Sequence, residues 1–305
     1  MFDLMILSVA LQLQAVPDEF YKSETSKEVR AVIEQLDALP VEDAVSQLEA
    51  LAQNGDDSAL ELLGEMFNEG LGGFPNDANR ACDYFERQEG RRADGLHNYA
   101  TCFYSGRGRD EDLARARSLY KKAAEAGWRM SFCAYGNMLV RGQGGPEDQA
   151  EGVRLCRMTS VAGDPDAQTD YGGYLLMGVG VDRDPVAARF VLEQAGVQEQ
   201  PNAAFLLAQI YQKGDGVEAD THLSREWFER AYQWGRLDAA FQLGLNYARR
   251  GFRQEGEEMF VESELMGRAV KWFEVAAERD PDAKTREQAK EMVENSNRLI
   301  AASRK

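Results

Sequence analysis

One column of residues has the makings of a nucleophile site. Glu61, His97, Cys133 and Thr169 follow one another at intervals of 36 residues. A carboxylate, an imidazole and a thiol in line are the groups that activate a cysteine for attack on an electrophile. Helices must position this column, however, and packed neighbours lie about 8–10 Å apart, beyond direct hydrogen-bond reach unless the side chains lean together. No oxyanion donor or metal-ligand spacing recurs with it, and the chain holds two histidines in all. The pattern weighs against catalysis, against a metal and against a cofactor.

Two other features invite a chemical reading. Gly-x-Gly pairs stand at 70/72, 106/108, 142/144, 178/180 and 214/216. A phosphate-cradling glycine loop follows a strand and occurs once, whereas these recur between helical segments and read as turns. The four cysteines are Cys82, Cys102, Cys133 and Cys156. Cys102 and Cys156 fall in apolar columns and read as core thiols. Oxidation of a proximal pair in an exported chain stays open at this level.

The elements that carry these residues repeat. A column of small residues runs Gly64, Ala100, Gly136, Gly172, Ala208 and Gly244, each preceded by a large apolar residue (Leu63, Tyr99, Tyr135, Tyr171, Leu207, Leu243). A second small column, Ala59, Gly95, Ser131, Ala167, Ala203 and Ala239, lies five residues before the first. A period held in several independent columns signals stacked repeats. Within one unit, helix A ends at the first glycine of a pair, where a left-handed residue is wanted. Asn76, Asp112, Asp148, Asp184 and Asp220 are placed to cap helix B, which carries Tyr84, Tyr120, Cys156, Leu192 and Phe228 in register.

Residues Ala203 to Gly235 give the fullest copy of the unit: Ala203, Leu207, Ala208, Tyr211, Gly214, Gly216, Val217, Asp220, Trp227, Phe228, Ala231 and Gly235. This pattern resembles the Sel1-like repeat, a relative of the tetratricopeptide repeat, and the resemblance covers about 59–282. Repeat 1 is looser, with Gly72-Gly73-Phe74-Pro75 in its loop and Arg87-Gln88 where alanines are expected. Period and resemblance together predict an all-α chain: a right-handed α-solenoid of helix–turn–helix repeats of 36 residues. The resemblance implies a non-catalytic scaffold or adaptor, in bacteria often at the envelope or in signalling. The rival is an envelope enzyme or peptidoglycan-fragment binder that uses His97 and Cys133. Some relatives carry a disulfide in every repeat, and these cysteine spacings do not recur in that way.

Net charge is −17, from 52 acidic and 35 basic residues. That balance disfavours nucleic acid, whose affinity rests on basic contacts to phosphate, and suits a protein or peptide partner. No apolar run approaches the length of a membrane-spanning helix. Residues 1–16 are apolar and end at Ala15-Val16, which reads as a signal peptide and points to a periplasmic or secreted protein, although Asp3 and the lack of Lys or Arg argue for a packed N-terminal helix and a cytoplasmic one. Residues 17–58 are then capping helices, about 26–38 and 41–53, with 59–282 holding six repeats and 283–305 a polar C-terminal cap. An insertion in repeat 6, with Glu255, Glu257, Glu258, Glu262 and Glu264, reads as an extended helix.

On each helix A, the positions two before, two after and five after the large apolar residue point roughly away from the core. By analogy with tetratricopeptide repeats they line a concave groove. It begins with Glu61, Glu65 and Asn68, continues through His97, Thr101, Tyr104, Cys133, Asn137 and Val140, and turns apolar toward the C-terminus. The partner-binding candidates are Tyr104, Val140, Leu176, Phe205, Gln209, Gln212, Phe241 and Leu245.

Overall fold

In a computed structural model of the chain, residues 26–35, 39–89, 92–255 and 258–303 are described. Residues 1–16, the linker after them, and the predicted extension of the first helix over 36–38 lie outside these. The chain divides into two compact units, residues 1–162 and 163–305.

In the first unit, α1 (Lys27–Ile33) and α2 (Val41–Gln53) precede three helix pairs. The A helices are α3 (Asp57–Glu69), α5 (Ala93–Ser105) and α7 (Arg129–Val140). Their B partners are α4 (Ala78–Arg87), α6 (Leu113–Glu125) and α8 (Gln149–Val161). The second unit holds α9 (Pro165–Met177) with α10 (Pro185–Val197), and α11 (Pro201–Lys213) with α12 (Thr221–Gln233). It ends with α13 (Ala239–Gly251), a hairpin of β1 (Phe252–Glu255) and β2 (Glu258–Val261), α14 (Ser263–Arg279) and α15 (Ala283–Ala302). Within each unit every helix packs mainly on its chain neighbours. This is an α-solenoid of helix–turn–helix repeats.

The small column works within the pair. A Cβ at Gly172 would stand 2.6 Å from Leu192 Cγ, and one at Gly244 would stand 2.5 Å from the Phe273 ring. The A helix can approach its B partner only where side chains are missing. The second glycine of a pair works between pairs. A Cβ on Gly108 would lie 2.2 Å from the Ala78 carbonyl oxygen, and one on Gly144 would lie 2.1 Å from that of Leu113. The loops at Gly108, Gly144 and Gly216 therefore rest directly on the first turn of the preceding B helix.

Caps close the units. Asp112, Asp148, Asp184 and Asp220 each accept a backbone N–H from the first turn of a B helix. Repeat 1 departs from the pattern: Asp77, not Asn76, caps α4 by accepting from Arg80 N, while the Asn76 amide donates to the Asn68 carbonyl at 2.7 Å. Its glycine loop is one residue longer, so the register of α4 shifts too. Phe85, not Tyr84, fills the space opposite Gly64, with its ring carbon 2.3 Å from where a Cβ would be. The alanine position of the same repeat is taken by Gln88, fully buried, with its amide donating to the Asp57 carbonyl. Gly95 makes room for it, since a Cβ there would fall 2.2 Å from Gln88 Oε1.

Two expectations are corrected. The acidic insertion is a β-hairpin, with Phe252 opposite Val261 and Arg253 opposite Phe260. Helix α13 stops at Gly251, which packs without a Cβ against Met266 and is a poor helix former. Beyond it the chain reads Phe-Arg-Gln-Glu, then Gly-Glu, then Glu-Met-Phe-Val, two short strand-length segments around a glycine. Glu262 then leads into α14, which carries Glu264. Secondly, Cys102 and Cys156 are not free core thiols. Cys82 is bonded to Cys102, joining α4 to α5, and Cys133 is bonded to Cys156, joining α7 to α8. Apolar columns place residues face to face whether or not they are bonded, so burial alone did not separate the two states.

Candidate functional site

The 36-residue column that begins at Glu61 lies in the first half of each A helix, and the structure encloses it. Cys133 is 5% exposed and Thr169 7% exposed. Cys133 is in a disulfide, so the predicted nucleophile has no thiol to ionise. His97 directs Nδ1 to Ser131 Oγ at 2.8 Å, not to the cysteine. Glu, His and Cys share a column without forming a relay.

Enclosure leaves the polar members of the column in an unusual setting. Arg92, just before α5, bonds Asp94 through its guanidinium and reaches Glu61 at 3.0 Å. Asp94 also accepts the Gly95 N–H at 2.8 Å. Burial would raise the Asp94 carboxyl, but hydrogen bonds from Arg92 and Glu61 hold it below its ordinary value. Glu61 takes the opposite course: burial and the neighbouring Asp94 charge push it up to about 8. Glu65 rises for the same two reasons. His97 is pushed down to about 4 by burial, against the pull of Asp94, and is neutral at pH 7. These groups wall a cavity of about 420 Å³ between α3 and α5, closed further by Ile33, Leu62, Trp128 and Met130.

A second cavity, of about 300 Å³, lies between α9 and α11 in the C-terminal unit. It is lined by Gly173, Leu176 and Met177 on one side and by Leu206, Gln209 and Lys213 on the other. Met177 is 66% exposed there. Leu176 and Gln209 thus come together, and Gln212 is half-buried one turn on. Met177, Leu206 and Lys213 sit beside the predicted positions and were not among them. Their signal was visible only as the residues that follow Leu176, Phe205 and Gln212.

Other predicted groove residues do not join this surface. Phe205 is 8% exposed, edge-on to Phe228 at 5.2 Å and covered by the Arg236 guanidinium at 3.8 Å. Val140 is buried against α8, where a Cβ on Gly152 would meet it at 2.7 Å. Both are corrected from outward to core. Phe205, two before the large apolar residue, is covered by Phe228 of its own B helix and by Arg236 after that helix, and Val140, five after it, is covered by α8. Phe241 and Leu245 are half-buried and pack toward Phe273 and Tyr247. Tyr104 is half-buried, edge-on to Tyr120 at 6.3 Å.

The exposed apolar residues elsewhere include Val186, Phe190 and Val197, which share one face of α10. Among the described residues no group of His, Cys, Asp and Glu is arranged to hold a metal, and no helix is long and apolar enough to cross a membrane.

The Sel1 repeat family model matches residues 57–87, 93–128, 133–160, 165–196, 201–233 and 237–281. Among solved structures, the chain is similar to a Sel1 repeat protein from Oxalobacter formigenes at 23% identity, covering 84% of this chain and 99% of that one, with a TM-score of 0.68. It is also similar to a protective antigen of uropathogenic Escherichia coli that displays this repeat fold. There the identity is 24% over 90% of this chain and 61% of that one, with a TM-score of 0.63. Comparison with curated proteins gave no match.

Proposed function

The chain belongs to the Sel1 repeat family, and from that premise we propose that it is a non-catalytic scaffold that holds a protein or peptide partner on its A helices. Proteins of this family are in general interaction scaffolds. The observation that carries the finer reading is the opening between α9 and α11. Leu176, Met177 and Leu206 offer apolar contact, while Gln209 and Lys213 bring polar groups beside it. An apolar floor with a few polar groups is the usual make-up of a peptide-binding groove. Gln212, half-buried, continues the same face of α11 one turn on from Gln209. The nucleophile alternative is set aside, because Cys133 is bonded to Cys156.

The setting that fits best is outside the reducing cytoplasm. Two disulfides in one repeat array persist where thiols are oxidised, and an apolar leader cleaved near Ala15 would deliver the chain there. The test of function is capture of partners from the native cells by the wild-type chain and by Leu176→Ser with Gln209→Ala. The reading expects a partner that the wild type retains and the double variant loses at an unchanged melting temperature. A partner held equally by both would move the binding face elsewhere.

A further inference from the structure

The opening between α9 and α11 is charged as well as apolar. The chain carries a net charge of −17, yet α11 and α13, two successive A helices, contain no Asp or Glu. Both end in cations: Lys213 on α11 and, 36 residues on, Arg249 followed by Arg250 on α13. The last carbonyls of a helix favour cations there without neutralising them. Lys213 and Arg249 are exposed and pair with no carboxylate among the described residues. Of the residues that line the opening, Lys213 and Asp215 are charged, and Asp215 is taken by Arg183. Asp166 and Asp170, on α9, do not line it. Lys213 is therefore its uncompensated charge.

A second observation concerns the floor. Leu192 requires the glycine at 172, but nothing in the chain requires the one beside it: a Cβ on Gly173 would meet only Leu206 Cδ1, at 4.0 Å. Glycine weakens the interior of a helix, and here packing within the chain does not call for it. The missing side chain leaves room between Leu176 and Leu206 for one that comes from outside. Gln209, half-buried at the same place, has an amide with no hydrogen-bond partner among the described residues.

We propose that the opening receives an acidic segment of a protein partner, with a leucine- or methionine-sized side chain over Gly173 and an Asp or Glu carboxylate on Lys213. The inference deepens the scaffold reading and rests on it. A side chain seated between Leu176 and Leu206 is an apolar anchor, the kind of contact that dominates binding. The Gln209 amide stands where it can bond the segment's backbone. Opposite charge at Lys213 sets register and speeds encounter. The acidic surface of the rest of the chain repels such a segment, so the acid-free helices α11 and α13 define where it lands.

The experiment selects binders from a displayed library of short random peptides on the full-length protein. The most enriched peptide, made with both ends blocked, is then measured by fluorescence anisotropy. Enriched sequences should set Asp or Glu beside Leu, Met or Phe. Lys213→Glu should lower the affinity of the leading peptide roughly tenfold, as should Asn or Gln in place of its acidic residues. Gly173→Leu should lower it at least as far while melting no lower than the wild type, because it fills a space that nothing crowds. Enrichment of basic or uncharged sequences, or of none, overturns the proposal, and so does a leading peptide held equally by the wild type and both variants. A dimer in sedimentation that Gly173→Leu dissociates also overturns it, since the occupant is then a second copy. Partner capture separates the two readings. A partner lost with Gly173→Leu and with Leu176→Ser plus Gln209→Ala, but kept by Lys213→Glu, removes the acidic segment and leaves the scaffold. A leading peptide that behaves as stated, with no partner captured, keeps the opening as a site for acidic segments and removes the scaffold.

Discussion

The stacking of loops on helices can be tested with three glycines. Gly144 has φ +68°, and its Cβ would sit 2.1 Å from the Leu113 carbonyl oxygen and 2.8 Å from Ala114 N. Both contacts are backbone at the start of α6, so no side chain can swing away. Gly127 has φ +91° with nothing within 4 Å of a Cβ. Gly172 has ordinary helical backbone, and its Cβ would press on the Leu192 side chain at 2.6 Å. Alanine at Gly127 thus reports left-handed strain alone, about 1–2 kcal/mol. Alanine at Gly144 adds overpacking of about 1–3 kcal/mol to that strain. Alanine at Gly172 incurs overpacking but regains about 1 kcal/mol of helix propensity, so its net loss is the smallest of the three when Leu192 yields. The expected order of destabilisation is Gly144→Ala, then Gly127→Ala, with Gly172→Ala near or below the latter. The assay is the urea midpoint of each variant at constant slope. A Gly144→Ala midpoint no lower than that of Gly127→Ala would refute the contact between loop and preceding helix.

Three further outcomes are expected. His97, lowered from 6.5 to about 4, makes stability rise with pH across that interval, while Glu61, raised from 4.5 to about 8, makes it fall. The two offset each other between pH 4.5 and 6.5, and above 6.5 His97 no longer offsets Glu61, so the Glu61 contribution, about 2 kcal/mol, should be lost by pH 8 and its pH dependence removed in Glu61→Gln, read from urea unfolding at each pH. Reduction of the disulfides, which close segments separated by 20 and 23 residues, should destabilise the N-terminal unit by about 3 kcal/mol per bond. Hydrogen exchange on the full chain checks this, since α9 to α14 should exchange as before. For export, mass spectrometry of the protein from its native cells should show a start near Val16, and an intact Met1 would place the chain in the cytoplasm.

Periodicity made the helix pairs legible because the small columns are enforced by backbone approach: Gly172 and Gly244 leave no room for anything else. It failed where one residue was added. The longer loop of repeat 1 moved the cap to Asp77 and the core position to Phe85, and a fixed offset of 36 reads past such a shift. The hairpin was missed because its charged residues were read for composition, not for the short paired strands of Phe252 and Val261. At the site, Leu176 and Gln209 were placed together by spacing alone. Phe205 was not, because helical phase says which way a side chain points and nothing about the Arg236 side chain that covers it. The Glu61–Asp94 pair escaped notice for a related reason: Asp94 lies outside the column, and only the fold of α5 brings it to Glu61. Cysteine bonding depends on distances that the columns do not supply.

The most direct measurement of the scaffold claim is a hydrogen-exchange footprint of the captured partner on the full-length chain. Exchange should slow in α9 and α11 around Leu176 and Gln209, with α10 and α12 unchanged. Protection centred instead on α10, where Val186, Phe190 and Val197 stand exposed, would contradict it and assign binding to the B helices.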